Sequence, residues 1–592
     1  MNHLGKYHYR TIFIFNKLLK PLHVTFSVLY VTFFFYTTHV NAQNLEVIGK
    51  QNPVKITGGL NLNTILYNAK GIEPRRTPLS YFATGNLNFD IYELVIPVSF
   101  TYSNQSSTFQ QPFNQYSIHP KYKWAKADIG YISTTYSPYT LNGHIYNGVA
   151  LELTPNGKFS YNVMYGRFLK AIEYDSLNVS AEDAAFKRMG CGTKIAYRNE
   201  SDFAPMTMFY AKDDIKSIER SILPNDIKPE ENLVLSAAIG KSFLKKMYFE
   251  LEYATSALSS DISANEVSPE NFTIYKGLGP LFTTRSSTSY QDAFKSSLSY
   301  RVTKYTLGIA YERIDPEYRT LGSYYFNNDL ENITGNVTAV LFKSKVNVAI
   351  NAGVQRDDLE NQKISKMKRF VGAINLTYKP TEKLNLTSSY SNFQTFTNIR
   401  SQFVNINQLT PYDNLDTLNF TQLSQSASLN GNYLLPSKKD FRQSLNVNTS
   451  LQISEDTQGG VQQNSGSQFL AINTSYNFNI TPKQFGAAVV FNLNRSEMAS
   501  VVSTTMGPTL SVSKGLLEKK MKVSVSTSLN QTKSNGEKTG RFLNFRLASN
   551  YAVKKNQNLQ ASFTTLNRVS KSNTTEKRFT EYTGSISYTY SF

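Results

Sequence analysis

Tyr582-Thr-Gly-Ser-Ile-Ser-Tyr-Thr-Tyr-Ser-Phe592, the stretch on which the chain stops, decides the reading of the fold. Tyr582, Ile586, Tyr588, Tyr590 and Phe592 fall on alternate positions, with Thr583, Ser585, Ser587, Thr589 and Ser591 between them. An extended chain turns successive side chains to opposite faces, so this is a strand with one apolar and one polar face. A flat apolar strand left at a sheet edge invites other chains, so the pattern asks for a partner strand that covers it.

The same alternation runs back through the sequence. Ile96, Val98, Phe100 and Tyr102 alternate with Pro97, Ser99 and Thr101. Val149, Leu151 and Leu153 lead into a Pro155-Asn156-Gly157 turn, and Phe159, Tyr161, Val163 and Tyr165 continue beyond it. Leu233–Phe243 with Met247–Ala257, and Val337–Phe342 with Val346–Val354, read as further hairpins, and Val523–Leu529, Phe545–Tyr551 and Leu559–Leu566 repeat the theme with more Ser, Thr and Asn. Helical periodicity is nearly absent. The 38 Tyr and 38 Phe among abundant Ser, Thr and Asn suit strands with one apolar face.

Connections alternate in length as well. Tight turns are expected at Tyr92-Glu93, Ala125-Lys126, Pro155–Gly157, Leu244–Lys246, Thr303-Lys304, Lys343–Lys345, Thr381–Lys383, Pro436–Asp440, Thr481–Lys483, Leu516–Lys520 and Lys554-Lys555. Longer polar loops, such as Asn104–Pro120, Ile172–Phe186, Asp213–Glu230, Leu258–Ser286 and Thr395–Leu415, fall between them. Short turns at one end and long loops at the other make an all-β transmembrane antiparallel up-and-down barrel of the outer membrane, with the short side periplasmic. The arms number about 26, in a range of about 22 to 30, for a class that runs from 8 to 26 strands and beyond.

Residues 1–42 read as a signal peptide. Lys6, Arg10, Lys17 and Lys20 form a basic start, Val24–Tyr36 an apolar run, and Val40-Asn41-Ala42 a small-residue site for cleavage before Gln43. Residues 43–592 are then the barrel. Its first strand, near Val54–Tyr67, leaves no room for an N-terminal plug domain of the kind TonB-dependent transporters carry. The formal charge is +19, or +15 once the four basic signal residues leave. It is spread over turns with no basic groove, so no nucleic-acid partner is expected.

Four segments carry a family resemblance: Asn86–Asn104 (NLNFDIYELVIPVSFTYSN), Gln111–Trp124 (QPFNQYSIHPKYKW), Ser137–Gly148 (SPYTLNGHIYNG) and Asp315–Asp329 (DPEYRTLGSYYFNND). Through them the chain resembles the large, mostly uncharacterised outer-membrane barrels of Bacteroidota. The resemblance implies location and brings no catalytic residue with it. The terminal run Tyr582, Ile586, Tyr588, Tyr590 and Phe592 likewise resembles the signal by which the barrel-assembly machinery recognises its clients, and it would close the barrel against the first strand.

The loop Asp315–Asp329 is the candidate extracellular site. Asp315, Glu317, Tyr318, Arg319, Tyr324, Tyr325, Asn328 and Asp329 crowd into it. Its oxygens could hold Ca²⁺ and its tyrosines could stack on a sugar or peptide, but no regular ligand spacing is present. The favoured reading is a self-packed loop over or into the lumen, with Arg319 paired to a carboxylate. Lysines at the tight turns (Lys245, Lys246, Lys343, Lys345, Lys438, Lys439, Lys519, Lys520, Lys554, Lys555) read first as solvated residues. They could also meet phospholipid headgroups or an acidic partner.

Chemistry-bearing residues are few. Cys191 is the single cysteine, and beyond the signal only His119 and His144 remain, too few for a His/Cys metal site. Neither histidine sits in a recognisable catalytic motif, so no enzyme, cofactor or metal is expected. The sequence favours a channel or export conduit with a wide, polar, anion-tolerant lumen, either passive or gated or plugged by a periplasmic or lipoprotein partner. The alternative is a structural platform in the outer-membrane lipids that anchors surface or secretion-associated proteins.

Overall fold

The computed structural model describes residues 54–592 apart from 105–113, 175–183, 220–226, 269–280, 325–326, 358, 361–367, 393–394, 399–419, 424, 437, 439, 455–456, 459–460, 463–465, 499–500 and 573–574. The signal segment, Lys439 and Tyr325 lie outside the described residues. The wall belongs to one unit, Ile56–Phe592.

Twenty-six strands pair antiparallel, each with the next in sequence, and the ring closes. The last strand, Thr575–Ser591, pairs with the first, Val54–Lys70, from Gly59↔Ser591 to Lys70↔Thr580. No edge of the ring is left to recruit another chain, which is how a barrel satisfies its backbone in lipid. One strand is built from two pieces, Gln115–Ile118 and Lys121–Tyr122, which share neighbours Leu94–Ser103 and Ala125–Thr135. His119-Pro120 divides them, because a proline has no N–H to give a ladder. Two small hairpins, Thr395–Asn398 with Phe420–Leu423 and Thr457–Gln458 with Val461–Gln462, form sheets of their own.

Side chains of the wall fall into two faces, and a crossing contact tells which is inner. Tyr139 follows the strand Ala125–Thr135, yet its Oη donates to Glu312 Oε1 at 2.6 Å. Glu312 lies on Tyr305–Ile314, eight strands further round, or about 40 Å along the wall at the usual strand spacing. Only a chord through the lumen makes that contact, so Glu312 points inward and Ile309, three positions earlier, points outward. Paired residues share a face, and the registers carry the assignment round to Ile586 outside and Ser585 inside. The outer face is a belt of Leu, Ile, Val, Phe and Tyr. Met206, Ile309, Ile333 and Phe370 are 67, 64, 61 and 66% exposed. An apolar belt of this extent is stable in lipid rather than in water, and the chain is a multi-strand barrel of the outer-membrane type.

Several turns differ from the sequence reading. The turn expected at Ala125-Lys126 lies instead at Lys123-Trp124, where Lys123 takes φ 51°. Ala125 and Lys126 already pair with Leu153 and Glu152, and Lys126 and Asp128 face the lumen. The strand Gln115–Ile118 occupies the end of the expected loop Asn104–Pro120. Within the expected loop Thr395–Leu415, Thr395–Asn398 is one arm of a hairpin. Long connections are also confined to one part of the ring. The last three at that end are two residues each, joining Met498 to Val501, Ser534 to Glu537 and Ser572 to Thr575.

Candidate functional site

Among the described residues, loops, wall side chains and charge come together in the lumen, which has two unlike sectors. In the first, the connection 136–141 and the loop Asp315–Asp329 meet inside the ring. Tyr318 Oη donates to the Tyr139 carbonyl at 2.8 Å, and Thr320 Oγ1 donates to the Thr140 carbonyl at 2.6 Å. Asn142 N–H donates to the Gly322 carbonyl at 3.0 Å. Tyr139 and Tyr318, both fully buried, pack with Ala254, Ala293, Ile314 and Leu330. Leu321 packs with Leu141, Tyr146, Phe168 and Phe209 in a second cluster. Position 322 must be glycine, since a Cβ there would lie 2.6 Å from the Thr140 carbonyl oxygen and 2.9 Å from the Phe209 ring. Burial, reinforced by the Glu312 carboxylate, pushes the Tyr139 hydroxyl up and keeps it a donor.

Polar groups fasten these loops to the wall. Leu321 N–H donates to Asn232 Oδ1 at 3.0 Å, and Ser256 Oγ donates to the Arg319 carbonyl at 2.7 Å. Arg319 forks onto Glu230 at 2.6 and 3.0 Å. Arg188 bridges Asp213, at 2.8 and 2.9 Å, to the same Glu230 at 2.8 Å. Two planar forks sharing one carboxylate fix geometry as well as charge.

The remaining residues of the loop are placed as follows. Asp315 accepts from the Asp292 N–H and from Arg313 Nε, both at 3.1 Å. Glu317 takes φ 59°. Tyr324 stacks on His144 with ring centroids 4.0 Å apart, and its hydroxyl accepts from the Ile145 N–H at 3.1 Å. Asn328 Nδ2 donates to the Tyr318 carbonyl at 3.0 Å, and Asp329 accepts from the Leu359 N–H at 2.9 Å. The Asp315 and Asp329 carboxylates and the Tyr318 and Tyr324 rings are engaged by the protein's own groups, and Glu317 is exposed. Among the described residues, no three His, Cys, Asp or Glu side chains gather as a metal site.

The second sector runs from about Leu384 round to the seam. Its inner face is Ser, Thr and Asn in rows. Asn473 Nδ2 donates to Asn492 Oδ1 at 2.7 Å, Asn492 Nδ2 to Thr509 Oγ1 at 3.2 Å, and Ser562 shares a hydrogen with Ser585 at 2.7 Å. Amide oxygens of Gln452, Asn544 and Asn558 are turned from solvent without a donor among the described residues. At the seam Tyr582, Ile586, Tyr588 and Tyr590 lie opposite Asn68, Thr64, Leu62 and Leu60. Phe592 N–H donates to the Gly58 carbonyl at 2.9 Å.

Two clusters escaped sequence reasoning. Ser117 Oγ, His119 Nε2 and Nδ1, and Asp128 Oδ1 form a line with steps of 2.9 and 2.5 Å, and Lys126 Nζ joins Asp128 at 3.0 Å. The order is that of a nucleophile, base and acid. Ser117 is buried, however, and its Oγ is held by Ser99 Oγ at 2.6 Å, so the line is a wall network. On the outer face Glu231, fully buried, accepts from Arg285 at 2.7 Å and Tyr210 at 2.6 Å beside Leu233, Ala257 and Phe282. That pair spans 54 residues, and its partners share no local motif.

No family model matches the chain, and no curated protein sequence matches it. Among solved structures it is similar to the copper transporter OprC, at 9% identity over 90% of this chain and 80% of that one, with a TM-score of 0.34. The siderophore receptor PiuA from Acinetobacter baumannii is similar at 11% identity over 90% and 82%, also with a TM-score of 0.34. The outer-membrane protein OprD from Pseudomonas aeruginosa follows at 9% over 70% and 92%, with a TM-score of 0.31.

Proposed function

We propose that the protein is a non-enzymatic outer-membrane channel or conduit whose path follows the polar sector beside the loop-filled one. The observation that supports this most is the contrast inside a single ring. One sector of the lumen is packed with apolar side chains, and the other is lined with hydroxyls and amides whose partners are largely each other. A polar lumen wall passes hydrophilic solutes, with side chains rather than backbone setting selectivity. In this reading the long-loop end faces outside and the lysine-bearing turns face the periplasm. The surrounding lipids and the barrel-assembly machinery are its general partners.

One observation favours a second reading, a platform for a periplasmic or lipoprotein partner. Leu244, Phe342 and Leu517 stand at the tips of three short turns, 79, 73 and 59% exposed; the first two are next to Lys245 and Lys343, and the third is followed by Glu518 and Lys519. Planar-bilayer recording on the purified protein separates the two. The channel reading expects stable conductance well below that of an unobstructed ring of this circumference. Silence, together with a protein that co-purifies from native membranes and lowers no current, supports the platform instead.

A further inference from the structure

The strand registers bring three cations of the lumen wall into a regular stair. Arg568, on Gln557–Ser572, lies opposite Phe542 of Glu537–Lys554. Arg546 is four positions along from Phe542, and Asn550 four further, opposite Lys522 of Met521–Ser534. Positions four apart share a face, so Arg568, Arg546 and Lys522 all point inward, one step apart on three neighbouring strands. Each step is about 13 Å along the strand.

The upper end of the stair is fixed by aromatic rings. Arg568 and Arg75 lie 6.0 and 5.1 Å from the centroid of Phe579, and Arg76 lies 5.5 Å from that of Tyr67. Cations over ring faces are held without losing their charge. Glu581 faces the lumen there as well and accepts from the Tyr67 hydroxyl, so it offsets part of the charge at Arg568. Lower down, Arg546 and Lys522 open on a recess of about 560 Å³ whose other polar walls include Asn61, Asn550, Gln560 and Ser585. Among the described residues, no acidic side chain lines that recess. Arg546 Nε is turned from solvent and has no hydrogen-bond partner among the described residues.

We propose that this recess is a subsite for a hydroxylated organic anion, a sugar phosphate or a sugar acid. Arg546 offers a fork for its oxyanion, Lys522 a second charge, and the amides and hydroxyls partners for its hydroxyls. The stair then passes the anion from the Arg75 and Arg568 mouth to the recess. This rests on the channel reading. A guanidinium forked to an oxyanion is a charged hydrogen bond, and its loss costs roughly tenfold in affinity.

The test uses the full-length barrel in planar bilayers under a KCl gradient, with glucose 6-phosphate and glucuronate as probes and glucose as the neutral control. The wild type should show an anion-selective reversal potential and block by one or both anions but not by glucose. The Arg546→Gln, Lys522→Gln double variant, folded by heat-modifiable migration, should lose selectivity and require roughly tenfold more anion for block, while Arg546→Lys keeps the selectivity. Unchanged selectivity and block in the double variant overturn the subsite. If the wild type carries no current, the channel reading fails by itself. Titration calorimetry of the same anions with the detergent-solubilised barrel then decides: binding weakened roughly tenfold in the double variant upholds the subsite, and absence of wild-type binding overturns it.

Discussion

Two sectors of one wall share strand length, register and an apolar outer belt, and differ in what their inner faces touch. Between Ala125 and Arg356 the inner face meets two loops that cross the lumen, and large side chains such as Tyr139, Tyr146, Phe168 and Tyr318 are buried there. Among the described residues, the inner face between Leu384 and Ser591 meets little but its own neighbours, and Ser, Thr and Asn serve. The outer belt is set by lipid and is therefore the same in both. The inner face answers to whatever fills it, so inner residue type reports the filling. Connection length divides the ring later than side-chain type does, since the connections 392–424 and 455–466 lie within the polar sector. From Ser467 onward the connections are two residues each at one end and four, four and two residues at the other, too short to reach inward.

The contrast gives an order of expected effects. Tyr318→Ala removes a fully buried ring and its hydrogen bond to Tyr139, at a cost of about 3–5 kcal/mol to the packing of the two loops. Conductance should rise, and amide hydrogen exchange across 136–141 should accelerate; both unchanged would mean that the loops neither depend on Tyr318 nor limit the path. Glu230→Gln leaves Arg188 with Asp213 but takes a charge-assisted partner from Arg188 and Arg319 together, for about 1.5–3 kcal/mol. The loops should loosen by the same readout, less than in Tyr318→Ala. In the other sector, Ser562→Ala breaks only the pair with Ser585, for about 0.5–1 kcal/mol, and leaves a hydroxyl that water can serve. Exchange in 136–141 should not move at all.

Much of the wall was legible because a strand writes its faces into every second residue. The terminal run and the hairpins around Pro155–Gly157 and Leu244–Lys246 needed no information beyond nearest neighbours. The expected turn at Ala125-Lys126 lies just before it, and the inward-pointing Lys126 and Asp128 already belong to the strand. Contents of the lumen were less legible. Tyr139 and Glu312 are 173 positions apart, Tyr318 and Tyr139 179, and neither pair has a spacing rule. The segments Ser137–Gly148 and Asp315–Asp329 stood out separately, and nothing in either says that they meet. The cation stair is a product of register. Lys522, Arg546 and Arg568 are ordinary residues until the offset of three strands is known.

Thiol reactivity inside the lumen tests the two-sector account most directly. In a Cys191→Ser background, Ala254→Cys places a thiol beneath Tyr139, and Ser585→Cys places one on the polar sector. The account predicts rapid modification of the 585 thiol by a charged, membrane-impermeant reagent. The 254 thiol should stay silent until Tyr139→Ala or Tyr318→Ala uncovers it. Equal, rapid modification at both positions in the otherwise unaltered barrel would contradict a lumen that is packed on one side and open on the other.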